Sequence, residues 1–372
     1  MGVDPENLPD LQVSLVQVYD EQSAKEARDI DYPDVYFTPE YGAAVSNVES
    51  GSWELFVVRF NDGCSCFYPY IKREILSPSL RQPAFDLVGP YGYSGPWSSG
   101  RVFAHHWFLF REEFRKEAHV RQYVSEFIRF SPYLPLQQEI FRQLKDVLSW
   151  QHLETYAVSL LNKCGYPTGA RKNHRRKVKK ARENGLFPEF ETLVSTQSNL
   201  FRDFLSLYEA TMDRRSASSY YHFPTTYYDA LLNALREVQG RIYIVVVYNT
   251  DKNASAASLI LHYRDVLHYH LGGSSEMGRR LGAMDLMFQA VIEYGYQLGA
   301  QLLHLGGGLK PLDGLSSFKR SLSNLQYEWY LGKSILNKEL YSLLLHERAS
   351  FLNVDCDTLE KTGFFPAYRA HV

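Results

Sequence analysis

The residues with the most chemical content form a run of cations. Between Arg171 and Arg182 stand eight basic residues in twelve positions: Arg171, Lys172, Arg175, Arg176, Lys177, Lys179, Lys180 and Arg182. His174 joins them, and no acid appears before Glu183. The spacing predicts a helix over 169–184, with Thr168 as N-cap, no internal Gly or Pro, and Gly185 for the left-handed position after the last turn. Such a helix carries an electrostatic cost. Arg171 with Arg175, Lys172 with Arg176, Arg175 with Lys179 and Arg176 with Lys180 are like-charged i,i+4 pairs, unfavourable by about 0.2–0.5 kcal/mol each. Arg171 and Lys172 also oppose the helix dipole. A helix that is only solvated intersperses Glu to relieve that repulsion, and this one does not. A polyanion, whether the phosphates of a nucleotide, an RNA or a lipid pyrophosphate, would turn the repulsion into binding energy.

Proton-transfer chemistry is harder to place. His268 and His270 alternate along a strand and so share one face, a pattern of packed or solvated histidines more often than of catalytic ones. Asp86, Glu276 and Asp285 fall on loops or helix starts. No general base emerges. Gly306-Gly307-Gly308 follows a strand but opens no GxGxxG helix, and Pro311 points to a plain turn. Cys64 and Cys66 read as one face of a strand. With Cys164 and Cys356 they are too few and too scattered for a disulfide framework or a zinc site, so no metal is expected.

The chain has 372 residues, 45% of them apolar and 15% aromatic, with 40 Lys and Arg against 42 Asp and Glu. Disorder, collagen-like repeats and a small disulfide scaffold are excluded by that composition. Without the eight residues of the run, 32 basic face 42 acidic ones, so an acidic body carries one basic helix. The length suits two domains. The opening Met1-Gly2-Val3-Asp4-Pro5-Glu6 has early acids, no apolar core of a signal peptide and no myristoylation pattern. The longest apolar stretches, such as Tyr243 to Tyr248, are far below the ~18 residues of a membrane span. A soluble, cytoplasmic protein is expected.

One pattern of elements occurs twice. In the first half, strands at Trp53 to Phe60 and Cys64 to Ile71 flank Asn61-Asp62-Gly63 as a hairpin. A Gly-rich loop follows, then a helix with Phe103, Trp107, Phe110, Phe114 and Ala118 at helical spacing, then a strand at Tyr123 to Phe130. About 180 positions later the order returns: a hairpin at Arg241 to Tyr248 and Ala256 to Tyr263, a strand at Val266 to Leu271 ending in Gly272-Gly273, and a helix. That helix presents Met284, Met287, Phe288, Val291, Tyr294 and Leu298 and leads to a strand at Leu302 to Leu305. Helices at Asn199 to Met212 and Thr226 to Val238 precede the second hairpin. The expected fold class is mixed α/β (α+β): two copies of one unit, each a mixed sheet flanked by helices, over 1–165 and 166–372. The C-terminal segment of the second is free to pack back on the first.

Several stretches resemble the FemABX-like branch of the GNAT acyltransferase superfamily. Tyr166-Pro-Thr-Gly-Ala-Arg171-Lys-Asn173-His-Arg175-Arg-Lys177 and its continuation to Gly185 are similar to that branch's basic helix. Tyr269-His-Leu-Gly272-Gly273-Ser274 with Leu286-Met-Phe-Gln-Ala290 is similar to its second GNAT unit. His304-Leu-Gly306-Gly307 and Phe318-Lys319-Arg320 resemble its closing strand and Phe-Lys motif, and Phe364-Phe365-Pro366-Ala-Tyr368 its finish. The best match in the first half is Gly89-Pro90-Tyr91-Gly92-Tyr93-Ser94-Gly95-Pro96. The resemblance implies tandem GNAT-like domains and transfer of an acyl or aminoacyl group to an amine.

Its implications for sites follow residue by residue. Lys319, with Phe318 beside it, is placed near the transferred carbonyl as the oxyanion donor; a reading without the resemblance makes Lys319 and Arg320 surface charges. Simple CoA-binding members carry Q/R-x-x-G-x-G/A before a helix, whose amides cradle a pyrophosphate. Arg279-Arg280-Leu281-Gly282-Ala283-Met284 keeps the Arg and Gly but puts Met284 at the small position. Arg279, Arg280 and Gly282 are thus either a donor-phosphate site or an ordinary exposed helix start. Arg175, Arg176, Lys179 and Lys180 are the other donor-binding candidates. Lys72 and Arg215 are the nearest matches to the cations that hold a precursor pyrophosphate, and Tyr93 and Tyr269 are candidate acceptor-binding aromatics. The donor implied is aminoacyl-tRNA, with acyl-CoA as the alternative and no tightly bound cofactor. The acceptor is an amine on a cell-wall precursor, a peptide or a small molecule. The chain lacks the Glu/Lys-rich coiled-coil arm that some relatives use for tRNA, which leaves the donor open, and a non-catalytic RNA-binding module is the third alternative.

Overall fold

The computed structural model describes residues 11–17, 26–27, 29–134, 149–161, 172–308 and 313–371. Tyr166, Thr168, Arg171, Cys164 and Pro311, and with them the first turn of the expected basic helix, lie outside the described residues. In chain order the elements are β1 Leu11–Gln17, α1 Pro39–Glu49, β2 Ser52–Phe60, β3 Ser65–Glu74, β4 Phe85–Val88, β5 Trp97–Ser99, α2 Ala104–Val120, β6 Tyr123–Arg129 and β7 Ser149–Ser159. There follow α3 Lys172–Glu183, β8 Phe187–Thr192, α4 Asn199–Arg214, α5 Thr225–Glu237, β9 Arg241–Tyr248, β10 Ala254–Tyr263, β11 Val266–Ser274, α6 Glu276–Leu281 and α7 Ala283–Leu298. The last are β12 Leu302–Gly307, α8 Gly314–Leu322, β13 Leu325–Ile335, α9 Lys338–Leu352 and α10 Cys356–Lys361.

Two compact units result, 1–152 with 329–372, and 153–328. The expectation is one boundary at 165/166; the units divide at 152/153, where β7 runs on to pair with β12, and again at 328/329, where β13 returns to pair with β6. In the first unit the strand order is β1-β2-β3-β4-β6-β13, antiparallel except for β4 and β6. In the second it is β8-β9-β10-β11-β12-β7, antiparallel except for β11 and β12. The two sheets repeat one another strand for strand, in order and in sense. In both, the parallel pair is joined through a helix, α2 or α7, as a parallel connection requires. The last position is filled from elsewhere in the chain: β13 pairs with β6 through Leu331↔Arg129 to Ile335↔Ser125, and β7 with β12 through Leu302↔Ser159 to Gly307↔Thr155.

The first unit buries Phe56, Tyr68, Tyr70, Trp107, Phe110 and Phe114 between its sheet and α2. Its C-terminal segment is held by α9, whose Tyr341, Leu344 and Leu345 pack with Ile75, Ala84 and Val124. The buried Asp86 carboxylate anchors the same segment by accepting from Arg73, Arg369 and Tyr368. Cys64 lies in the turn before β3, not on a strand face with Cys66; its thiol donates to the Arg101 carbonyl at 3.2 Å.

The second unit buries Val245, Val247, Leu267, Leu286, Met287, Val291, Leu303 and Leu305 under α7, with Val178 and Ala181 of α3 in the same cluster. Register slips by one between Leu259 and Ile260, opposite Leu271 and Tyr269, so His270 is an extra residue in β11. A second slip, between His304 and Gly306, makes Leu305 extra in β12. Bulges of this kind bend a strand and re-aim its side chains. Both sit where the strands approach Lys319. Among the described residues, no helix is long and apolar enough to cross a membrane.

Candidate active site

The centre of the second unit is Lys319. It lies on α8, which begins with Asp313 as N-cap: Asp313 Oδ1 accepts from the Ser316 N–H at 2.7 Å. A helix so started carries Lys319 into its second turn, where the side chain is 6% exposed rather than a surface charge. Its Nζ donates to the Gly307 carbonyl at 2.8 Å and stands 5.5 Å from the centre of the Tyr269 ring. Burial is the main reason that its pKa falls from 10.5 to about 7; Asp313 pulls the other way, and Arg215 lowers it further. The same burial pushes the Tyr269 hydroxyl up to about 12, with Arg215 opposing. Tyr269 packs on Phe288 at 4.9 Å and Phe318 on Phe288 at 5.8 Å, so both aromatic candidates are fixed by one α7 side chain.

An ammonium fixed by one backbone acceptor keeps two further N–H bonds, which suits it to a developing oxyanion. Beside it, His304 is held neutral by burial, with His268 and Lys319 adding to the effect, and its Nε2 hydrogen-bonds with Thr155 Oγ1 at 2.7 Å. His270 is lowered to about 3 by burial, with His268 adding, and hydrogen-bonds with Tyr227 OH at 2.8 Å. Both strand histidines of β11 are buried, as packed residues are.

The basic helix α3 buries His174, Val178 and Ala181 and turns Lys172, Arg175, Arg176, Lys179, Lys180 and Arg182 outward. Part of its charge is answered: Arg182 reaches Glu293 at 3.4 Å and Lys180 donates to the Arg280 carbonyl at 3.0 Å, while Lys179 reaches Glu183 at the end of α3 itself at 3.6 Å. Its inner side meets Asp285, in the first turn of α7. The Asp285 carboxylate is 3.0 Å from His174 Nδ1 and 3.5 Å from Lys177 Nζ. Gly282, at φ +83°, has the Lys177 carbonyl 2.8 Å from where a Cβ would stand. The start of α7 thus already faces a carboxylate and a backbone oxygen of this chain.

Arg280 is paired with Glu276 on α6. Arg279 and Arg215 are exposed and come together around Arg214, which they hold below its ordinary range after the effect of its own partial burial. Arg215 therefore lies within electrostatic reach of both Arg214 and Lys319. The first-unit candidates are engaged locally: Lys72 ion-pairs with buried Glu54, and Tyr93 is buried edge-on to Trp329 at 5.2 Å. Asp62, Cys64 and His106 form one trio of metal-type ligands within 4.8 Å among the described residues. There, His106 Nδ1 accepts from the Phe103 N–H at 3.0 Å, so its proton sits on Nε2 and faces Asp62. A metal ligand binding through Nε2 needs the opposite tautomer. The trio locks the start of α2.

Asp313 and the His304–Thr155 pair escaped sequence reasoning, and Asp285 was named there without its partners. Asp313 had a local signal, an Asp three residues before Ser316 at a helix start. Asp285 had none, since its partners stand more than 100 positions away.

Residues 168–320 match the acetyltransferase (GNAT) domain family. The crystal structure of FemX superposes with a TM-score of 0.58 at 14% identity, over 89% of this chain and 99% of that one. L-PGS from Bacillus licheniformis gives 0.50 at 15% identity, over 80% and 88%. The C-terminal domain (DUF2156) of a putative lysylphosphatidylglycerol synthetase from Agrobacterium fabrum gives 0.50 at 13% identity, over 87% and 93%. No curated protein matches. Residues 168–320 thus carry a GNAT domain, the first unit repeats its strand order, and the fold of the chain as a whole is similar to that of FemX.

Proposed function

We propose that this acyltransferase joins an aminoacyl group from aminoacyl-tRNA to an amine, forming an amide. The observation that carries the reading is Lys319, a buried ammonium held against the backbone of Gly306 and Gly307. The amine attacks the ester carbonyl, the carbonyl oxygen becomes the oxyanion, and Lys319 donates to it. That attack forms the C–N bond; collapse of the oxyanion then breaks the ester C–O bond, and the sugar oxygen leaves as a hydroxyl with the proton that the amine gives up, passed directly or through water. Phe318 and Tyr269 wall the ammonium, and burial strengthens its field.

Two features favour tRNA as the carrier. The outward face of α3 offers Arg175, Arg176, Lys179 and Lys180 to a phosphate backbone. At Gly282, a pyrophosphate would meet the Asp285 carboxylate and the Lys177 carbonyl. Arg215 would hold an anionic acceptor beside Lys319. A cytoplasmic location accords with such a donor. The acyl-CoA alternative is favoured by the acetyltransferase description of the matched domain and by the exposed cations Arg279 and Arg215 near Arg214. The deciding assay supplies an amine acceptor with charged tRNA or with acyl-CoA, with and without RNase. Transfer that survives RNase and requires acyl-CoA refutes the tRNA reading; RNA binding with no donor consumed refutes the enzyme.

A further inference from the structure

The three glycines 306–308 read in sequence as a plain turn, yet the first two extend β12. Together they form a strip of bare backbone on which two opposite charges rest. A Cβ on Gly306 would stand 3.1 Å from Lys319 Nζ, and one on Gly308 would stand 2.3 Å from Asp313 Oδ1. The ammonium is hydrogen-bonded to the residue between them. The carboxylate is fixed from its other side by the Ser316 N–H, and the Asp313 carbonyl accepts from the Ser316 hydroxyl at 2.9 Å. Around this pair, α4 contributes Arg215, a cation that opposes the charge on Lys319. From β11 comes the Tyr269 ring, and from β12 the neutral His304. From β7 comes Tyr156, whose hydroxyl donates to Glu154 at 2.6 Å and which also feels Arg320 and Asp313.

We propose that Asp313 is a positioning residue for Lys319: held on the glycine strip by its own helix cap, its carboxylate keeps the lysine charged despite burial and the nearby Arg215. The proposal rests on the reading of Lys319 as the oxyanion donor. A cap alone needs no charge here, because Asn and Ser cap helices about as well as Asp. The glycines give the arrangement its reason, since any side chain at 308 would displace the carboxylate.

Asp313→Asn and Asp313→Ser both preserve the cap and remove the charge. The experiment labels the full-length protein with ¹³C at lysine Cε and follows the Lys319 signal, assigned by its loss in Lys319→Met, through a pH titration by NMR. The expected result is a midpoint at least one pH unit lower in both variants than in the wild type. The alkaline limb of the transfer rate should move with it, so that transfer at pH 7.5 falls about tenfold. An unchanged or higher midpoint overturns the proposal. A lowered midpoint with an unmoved rate profile upholds the influence of Asp313 on Lys319 and removes Lys319 from the transfer step.

Discussion

Replacing Lys319 with Met tests the electrostatics of the site without any substrate. The native pKa of about 7 against 10.5 represents about 5 kcal/mol at about 1.4 kcal/mol per pH unit. The sign follows from proton counts. Between pH 7 and 10.5 the unfolded chain holds the lysine proton and the folded chain releases it, so stability rises with pH across that window. Below pH 7 both states are protonated and the whole cost is present. At pH 7, with half the molecules already neutral, about 4 kcal/mol of it remains. Methionine fills similar space and removes the charge, but it forfeits the hydrogen bond to Gly307, worth about 1 kcal/mol. Lys319→Met should therefore be more stable than the wild type at pH 7 by about 3 kcal/mol, and the difference should close toward pH 10. Guanidinium denaturation at pH 6, 7, 8, 9 and 10 measures it, and comparison of the two proteins cancels every other titrating group. Parallel stability curves, or a less stable variant at pH 7, would refute the buried-charge account. In the same protein transfer should fall by about 10²-fold or more, the scale of losing one oxyanion donor.

Further consequences are open to measurement. Gln at Arg175, Arg176, Lys179 and Lys180 together should weaken carrier binding and flatten its dependence on log salt in a filter or fluorescence titration; unchanged affinity and slope would make α3 a solvated helix. Asp285→Ala should cost about 2–3 kcal/mol in denaturant unfolding, less than a fully buried pair because Lys177 is 42% exposed, and should loosen α3 as seen by amide exchange. Gly273→Ala places a Cβ 2.2 Å from the Leu207 carbonyl oxygen; because the obstacle is the backbone of α4 rather than a flexible side chain, it should cost about 3 kcal/mol or more, and a neutral effect would mean that α4 lies farther from β11 than described.

Local pattern carried much of the fold. The bounds Arg241 to Tyr248 coincide with β9, and the apolar spacings of α2, α4, α5 and α7 appear where the sequence places them. Such elements need only side-chain periodicity, which a short window contains. What escaped were the strands whose reason lies far away. β7 and β13 mix polar and apolar residues without a clean alternation, and their partners β12 and β6 stand well over 100 positions off. The compact units divide at 152/153 and 328/329, beside those two strands, rather than at 165/166.

The basic run is legible as a helix rich in charge, and Phe318-Lys319 is legible through its resemblance. Whether a lysine is a surface charge or a buried ammonium is not a property of its neighbours in sequence. It depends on Gly307, Tyr269, Asp313 and Arg215 converging from four different elements, and desolvation, a cost that only packing creates, then lowers its pKa to about 7. Likewise Gly282 keeps the letters of a phosphate loop, while the helix folded against it supplies the carboxylate contacts and the carbonyl that occupy the place. The sequence by itself determined the residue types and the repeat; the tertiary structure decided which charges are buried together, because electrostatic energy depends on distance and solvent exposure, not on position along the chain.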